Sequence, residues 1–144
     1  MIVTIKRQQS ADSAPYWQSF LYEGPVHVTV SANDWSGSSR ETFLRDCSEF
    51  YRQLNQNYPK AKIFAIAPVW RTDWDSTQTY GATFAQLAED MRRLVAPIPN
   101  VIFVPGIDLF PHEDRCFGDG GLHPSDYGFE HYARNLASVI ISQL

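Results

Sequence analysis

Apolar residues run without a break along Ile63-Phe64-Ala65-Ile66-Ala67 and again along Val101-Ile102-Phe103-Val104. Short apolar runs with no polar alternation are the pattern of strands covered on both faces, as in parallel sheets. A third segment, entered through Val26, alternates β-branched residues along His27-Val28-Thr29-Val30 and also reads as a strand. Between these runs the period lengthens to that of a helix. Phe43, Cys47, Phe50 and Leu54 fall at i, i+4, i+7 and i+11, behind a Ser38-x-x-Glu41 capping box and ahead of Asn57 and Pro59. Phe84, Leu87, Met91 and Leu94 make a second such face, ended by Pro97 and Pro99. Phe129, Tyr132, Ala133, Leu136 and Ile140 make a third.

Strand, helix, strand, helix, strand, helix predicts an α/β fold: a three-layer α/β/α sandwich on a short parallel sheet. The predicted strands are residues 26–31, 62–67 and 101–105, with Ile2-Val3-Thr4-Ile5 as a candidate fourth. Doubly wound domains usually carry about five or six strands, so the sheet is expected to lack amino-terminal βα units. Residues 10–25 have no period and contain Pro15, Gly24 and Pro25, which predicts loop with a helical turn near residues 16–21. The chain is therefore expected to form one domain over residues 1–144, with residues 1–25 irregular.

Composition narrows the function classes. Hydrophobic residues at 44% and charged residues at 19% describe an ordinary globular chain, and a net charge of −4 argues against nucleic acid as a partner. No run reaches the length of a membrane span, and the first residues lack an apolar export segment, so the expected location is cytoplasmic by default. Cys47 and Cys116 are too few for a disulfide framework. The run Asp108, His112, Glu113, Asp114, Cys116 contains metal-ligand types but no zinc spacing, so a solvated loop is expected there and no metal site.

The chemistry concentrates in Phe117-Gly118-Asp119-Gly120-Gly121-Leu122-His123-Pro124-Ser125-Asp126-Tyr127-Gly128-Phe129. Glycines before His123 allow a sharp turn, and Pro124 biases His123 toward extended backbone, outside the helix that follows. Ser125 is a good N-cap, while Leu122 and Phe129 are expected to anchor the loop. A histidine at a helix lip with a carboxylate just upstream is how a general base and its orienting acid are often built. The plainer alternative is a histidine that only caps a loop.

Asp119-Gly120-Gly121-Leu122-His123-Pro124 resembles the D-x-x-H-P block of the SGNH (GDSL-type) hydrolases, whose fold is flavodoxin-like. Ser31-Ala32-Asn33-Asp34-Trp35-Ser36 resembles the family's G-x-N-D block, in the family's order, and the likeness runs from residue 26 to residue 144. The sequence departs at Gly120, which stands where the family has its acid, so Asp119 reaches His123 only if the doubled glycine bulges. The resemblance implies ester hydrolysis without metal or organic cofactor. His123 would move the proton, Asp119 would orient it, and Asn33 would donate to the oxyanion, a contribution of about 3 kcal/mol in such sites. An Asn-Asp pair is also ordinary turn chemistry.

No Gly-Asp-Ser block stands at the front, and Ala11-Asp12-Ser13 is a distant match with no apolar strand leading directly into it. The expectation is therefore a chain incomplete at its amino terminus that turns over esters slowly or not at all. Trp35, Trp70, Trp74 and Tyr80 fall in the loops expected at the sheet's carboxyl edge. Trp35, Trp70 and Trp74 are read as substrate-binding, with loop packing as the alternative. The expected substrates are small esters, lipids or acetylated carbohydrates. The competing expectation is a non-catalytic ligand-binding module on the same fold.

Overall fold

The computed structural model describes residues 3–5, 26–29 and 32–143. Four strands form one sheet: β1 (Val3–Ile5), β2 (Val26–Thr29), β3 (Ile63–Ile66) and β4 (Val101–Val104). They lie in chain order, and every neighbouring pair is parallel. Val26 stands opposite both Val3 and Ile63, and Ile63 opposite Val101. The three predicted strands are thus present and adjacent, β3 and β4 somewhat shorter than expected, and the run near the start supplies the fourth. Residues 6–25, which hold Ser13, lie outside the described residues, as do Val30 and Ser31.

β3 is buried along its whole length because its side chains serve two cores. Ile63 and Ala65, followed by Ala67, face a cluster with Phe43, Cys47, Tyr51 and Leu54 of α2 (Arg40–Asn57) and Phe84, Leu87, Met91 and Val95 of α3 (Phe84–Val95). Phe64 and Ile66 face the opposite cluster, where Leu136 of α4 (Asp126–Gln143) meets Val104 and Leu109. Helices therefore cover both faces, in three layers. The continuous apolar run follows directly, since neither face of β3 tolerates a polar side chain.

Helix details depart from the sequence expectation in instructive ways. The N-cap of α2 is Ser39, not Ser38: its backbone is extended, and its Oγ accepts the Thr42 N–H at 3.2 Å. The inward stripe runs through Tyr51, with Phe50 half-buried and set edge-on against the Tyr51 ring at 5.4 Å. In α3, which Thr83 caps through its Oγ on the Gln86 N–H, the stripe ends on Val95 and leaves Leu94 half-buried. In α4 Gly128 and Leu136 are buried, with Tyr132, Val139 and Ile140 half-buried along the same face. Phe129 is 55% exposed and Ala133 is also exposed, because Gly128 fixes the helix's rotation against the loop before it. Among the described residues no helix is long and apolar enough to cross a membrane.

Candidate active site

All four strands run the same way, so the segments leaving β2, β3 and β4 emerge at one edge. The segment after β2 is a short helix, α1 (Ala32–Gly37), where a loop was expected. The segments after β3 and β4 span residues 67–83 and 105–125. Ligands of open α/β sheets bind beyond the carboxyl ends of the strands, and this is that edge.

The loop carrying His123 is a closed structure. Phe117 and Pro124 form an antiparallel bridge, and the Gly118 N–H donates to the His123 carbonyl at 2.9 Å. Within it Gly120 and Gly121 take φ of 73° and 108°, a region that disfavours any side chain. That bulge brings Asp119 back onto His123. Asp119 Oδ1 accepts the backbone N–H of His123 at 2.6 Å and that of Leu122 at 3.1 Å, while Oδ2 meets His123 Nδ1. Backbone donation from His123, then its ring, holds the Asp119 carboxyl below the usual carboxylate range. An ionised carboxylate only accepts, so Nδ1 carries the proton and Nε2 keeps its lone pair. The His123 side chain is 72% exposed, open to a ligand.

The base of the loop is fastened to α4. The Ser125 N–H donates to the Cys116 carbonyl at 2.8 Å. Ser125 Oγ donates to the Arg115 carbonyl at 2.6 Å and accepts the Gly128 N–H at 3.2 Å, which makes Ser125 the helix cap. A Cβ on Gly128 would fall 2.2 Å from the Cys116 carbonyl oxygen, so glycine alone permits this approach. Arg115 is engaged by Glu113, by the Tyr127 hydroxyl at 2.7 Å, and by the Tyr127 ring face. Leu122 is 50% exposed, so neither it nor Phe129 is the buried anchor expected; Cys116, Phe117 and Phe110 form that anchor.

The other predicted residues divide. Asn33 is exposed on α1 at the same edge, with no hydrogen bond to Asp119 or His123 among the described contacts. Trp70 packs against the His-bearing loop, 6.1 Å from the Phe117 ring, and its face is stacked by His112 at 5.1 Å. Trp35 is not a substrate contact. It is 2% exposed, donates its indole N–H to the Ala82 carbonyl at 2.8 Å and meets Phe84 edge-on at 4.2 Å. An aromatic on a six-residue helix has its best partner in the core beneath it. Trp74 is half-buried against Phe84 at 5.7 Å, on the α3 side of the edge. Tyr80 is buried as well, its hydroxyl donating to Asp90.

Residues 4–131 match the GDSL-like Lipase/Acylhydrolase family. The chain belongs to that family. The match reaches further toward the amino terminus than the Asn33 and His123 motifs do, and it takes in Ser13. Solved structures of GDSL-like type share its fold. A Streptococcus pneumoniae protein assigned as a platelet activating factor is 16% identical with a TM-score of 0.66, over 81% of this chain and 59% of its own. A Parabacteroides merdae protein assigned as a GDSL-like lipase is 20% identical with a TM-score of 0.58, over 76% and 56%. The salicylyl-acyltransferase SsfX3 of a tetracycline biosynthetic pathway is 18% identical with a TM-score of 0.57, over 79% and 37%. The chain therefore spans about three-fifths or less of the length of these three. No curated protein matches it.

Sequence reasoning missed a recess of about 220 Å³ beside the His123 loop, lined by Thr72, Asp114, Phe117, Gly120 and Gly121. Thr72 Oγ1 lies 3.2 Å from where a Gly121 Cβ would stand, so the loops after β3 and β4 meet there. A lone threonine in a polar loop carries no signal in sequence. Gly128 did carry one, being a glycine in the first turn of a predicted helix.

Proposed function

We propose that this GDSL-family protein is a serine-dependent hydrolase of acyl or acetyl esters. His123 is its general base and Asp119 the orienting acid. The observation that carries this reading is the Asp119–His123 pair, in which one carboxylate holds both the ring and the backbone of an exposed histidine at the ligand-binding edge. In the reaction a serine hydroxyl attacks the ester carbonyl while His123 Nε2 takes its proton. Asp119 stabilises the imidazolium that results, and the Asn33 side-chain N–H donates to the tetrahedral oxyanion. His123 then protonates the departing alcohol, and water releases the acid by the same route in reverse. A lipase and an acyltransferase among the similar structures support acyl chemistry.

The test is hydrolysis of 4-nitrophenyl acetate by the purified protein beside His123→Ala, Asn33→Ala and Ser13→Ala variants. General acid–base catalysis contributes about 10²–10⁴-fold, so His123→Ala should lower kcat by that order. Loss of an oxyanion donor should lower it by about 10²–10³-fold. Abolition by Ser13→Ala would identify the nucleophile. Turnover indifferent to His123→Ala would overturn the reading.

A further inference from the structure

Asn33 rides on a helix too short to hold itself. With six residues, α1 falls well under the roughly 12–15 that an isolated helix needs in water. Two hydrogen bonds and a ring contact at Trp35 fasten it to the segment that follows β3. Trp35 Nε1 donates to the Ala82 carbonyl at 2.8 Å. The Trp35 carbonyl, one of those a helix end leaves without an internal partner, accepts the Tyr80 N–H at 3.0 Å. The indole itself is 2% exposed and meets Phe84 edge-on at 4.2 Å. Its seat is stiff. The Tyr80 ring packs edge-on against Phe43 at 5.5 Å, and its hydroxyl bonds Asp90, which Arg40 also grips.

We infer that Trp35 is a positioning residue for Asn33, an inference that rests on the hydrolase reading in which Asn33 donates to the oxyanion. Successive helical residues stand about 100° apart, so residues two apart point in roughly opposite directions. Burying Trp35 therefore turns Asn33 outward, and Asn33 is exposed just beyond the carboxyl end of β2. The bond from Nε1 fixes that roll. Rotating α1 either breaks it or draws the indole out of the core. A ring without the N–H leaves the Ala82 carbonyl unbonded and lets the helix turn to relieve it. The segment that seats Trp35, residues 67–83, also bears on the His123 loop, where Thr72 Oγ1 lies 3.2 Å from the place of a Gly121 Cβ. An interaction made only in the transition state acts on kcat, so a misplaced Asn33 shows there and not in KM.

The experiment is a double-mutant cycle on 4-nitrophenyl acetate hydrolysis, with Trp35→Phe, Asn33→Ala and the pair. A further form carries 3-benzothienylalanine at position 35, which keeps both rings and removes only the N–H. It tests the donor even where Trp35→Phe does not fold. Each change at Trp35 should lower kcat about 10–10²-fold, the order that a misplaced group carries, with KM within about twofold. In the Asn33→Ala background the same change should alter kcat less than about twofold, a coupling that a merely structural role does not produce. An undiminished fall in that background, a change in KM alone, or wild-type kcat in both Trp35 forms overturns the inference. If the wild type hydrolyses no ester, the hydrolase reading falls and NMR order parameters decide the positioning. Loosened order at Asn33 in the benzothienyl form, with His123 unchanged, supports it. Unchanged order at Asn33 overturns it.

Discussion

Asp119 and His123 are joined twice, since one carboxylate oxygen accepts the backbone N–H of His123 at 2.6 Å while the other meets Nδ1 of its ring. The acid sits four residues before the histidine, and the doubled glycine between them supplies the return. Loop closure and ring orientation are therefore one interaction. Anything that loosens the loop also loosens the His123 ring.

Replacing Asp119 by asparagine keeps an acceptor for the backbone N–H but puts an amide where a charge faced the ring. The amide stabilises no imidazolium and can force the wrong tautomer, as in other histidine–acid pairs. Asp119→Asn should lower kcat for ester hydrolysis about a hundredfold or more, with KM nearly unchanged, while Asp119→Ala adds the loss of loop closure. Steady-state kinetics check this. Full activity in Asp119→Asn would remove Asp119 from the mechanism.

Gly121 is the sharper test of the bulge. At φ of 108° an alanine is strained whatever the space, and its Cβ would also press Thr72 Oγ1 at 3.2 Å. Gly120, at φ of 73° with open space around it, meets the backbone strain alone. Esterase activity should fall in both alanine variants and further in Gly121→Ala, with circular dichroism unchanged. Equal, wild-type activity in both would show that the bulge does not position His123.

Gly128 is where α4 touches the loop. An alanine there would place its Cβ 2.2 Å from a backbone carbonyl oxygen that cannot swing aside. Overpacking of this kind costs about 1–3 kcal/mol, which lowers Tm by roughly 3–12 °C in a chain of this size. Because Ser125 and Gly128 fasten the loop's base, activity should fall more than stability does. Calorimetry and kinetics on Gly128→Ala, with Ala133→Gly as an exposed control, separate the two.

The sheet was legible because its signal is redundant. β3 and β4 are apolar at every position, and α2 and α3, which precede them, keep one face apolar over several turns. The Asp119–His123 pair was legible in kind, since glycines, proline and an N-cap serine around a histidine leave few conformations. What sequence could not give was direction. Trp35, Trp70 and Trp74 look alike in the chain, yet packing turns Trp35 into the core, Trp74 onto Phe84 and Trp70 toward Phe117. Phe129 fits a helical stripe and still faces outward, because the close contact at Gly128 sets the rotation of α4. Both outcomes depend on partners distant in sequence, which periodicity does not encode.

Asp90 is the buried charge that ties α2, α3 and the segment before α3 together on one face of the sheet. Its side chain is 4% exposed and accepts from Arg40 of α2 through Nε at 2.6 Å and Nη2 at 2.8 Å. It also accepts the Tyr80 hydroxyl at 2.7 Å and Gln86 Nε2 at 3.1 Å. Burial alone would raise its pKa; the bonds from Arg40, Tyr80 and Gln86 and the Arg40 charge outweigh it and hold the carboxyl below its usual value. A depressed folded pKa gives stability that is fully present above the unfolded value of about 3.9. That stability is lost as pH falls through the folded value, so the window lies below about pH 4. Asp90→Asn should cost about 1–3 kcal/mol at neutral pH; Arg40 is half exposed and keeps its hydration, which holds the loss under that of a fully buried pair. Urea unfolding of both proteins from pH 7 down to pH 2 reads the result. The wild type should lose stability more steeply than Asp90→Asn at the acid end, and parallel curves there would show that Asp90 is not the group that titrates.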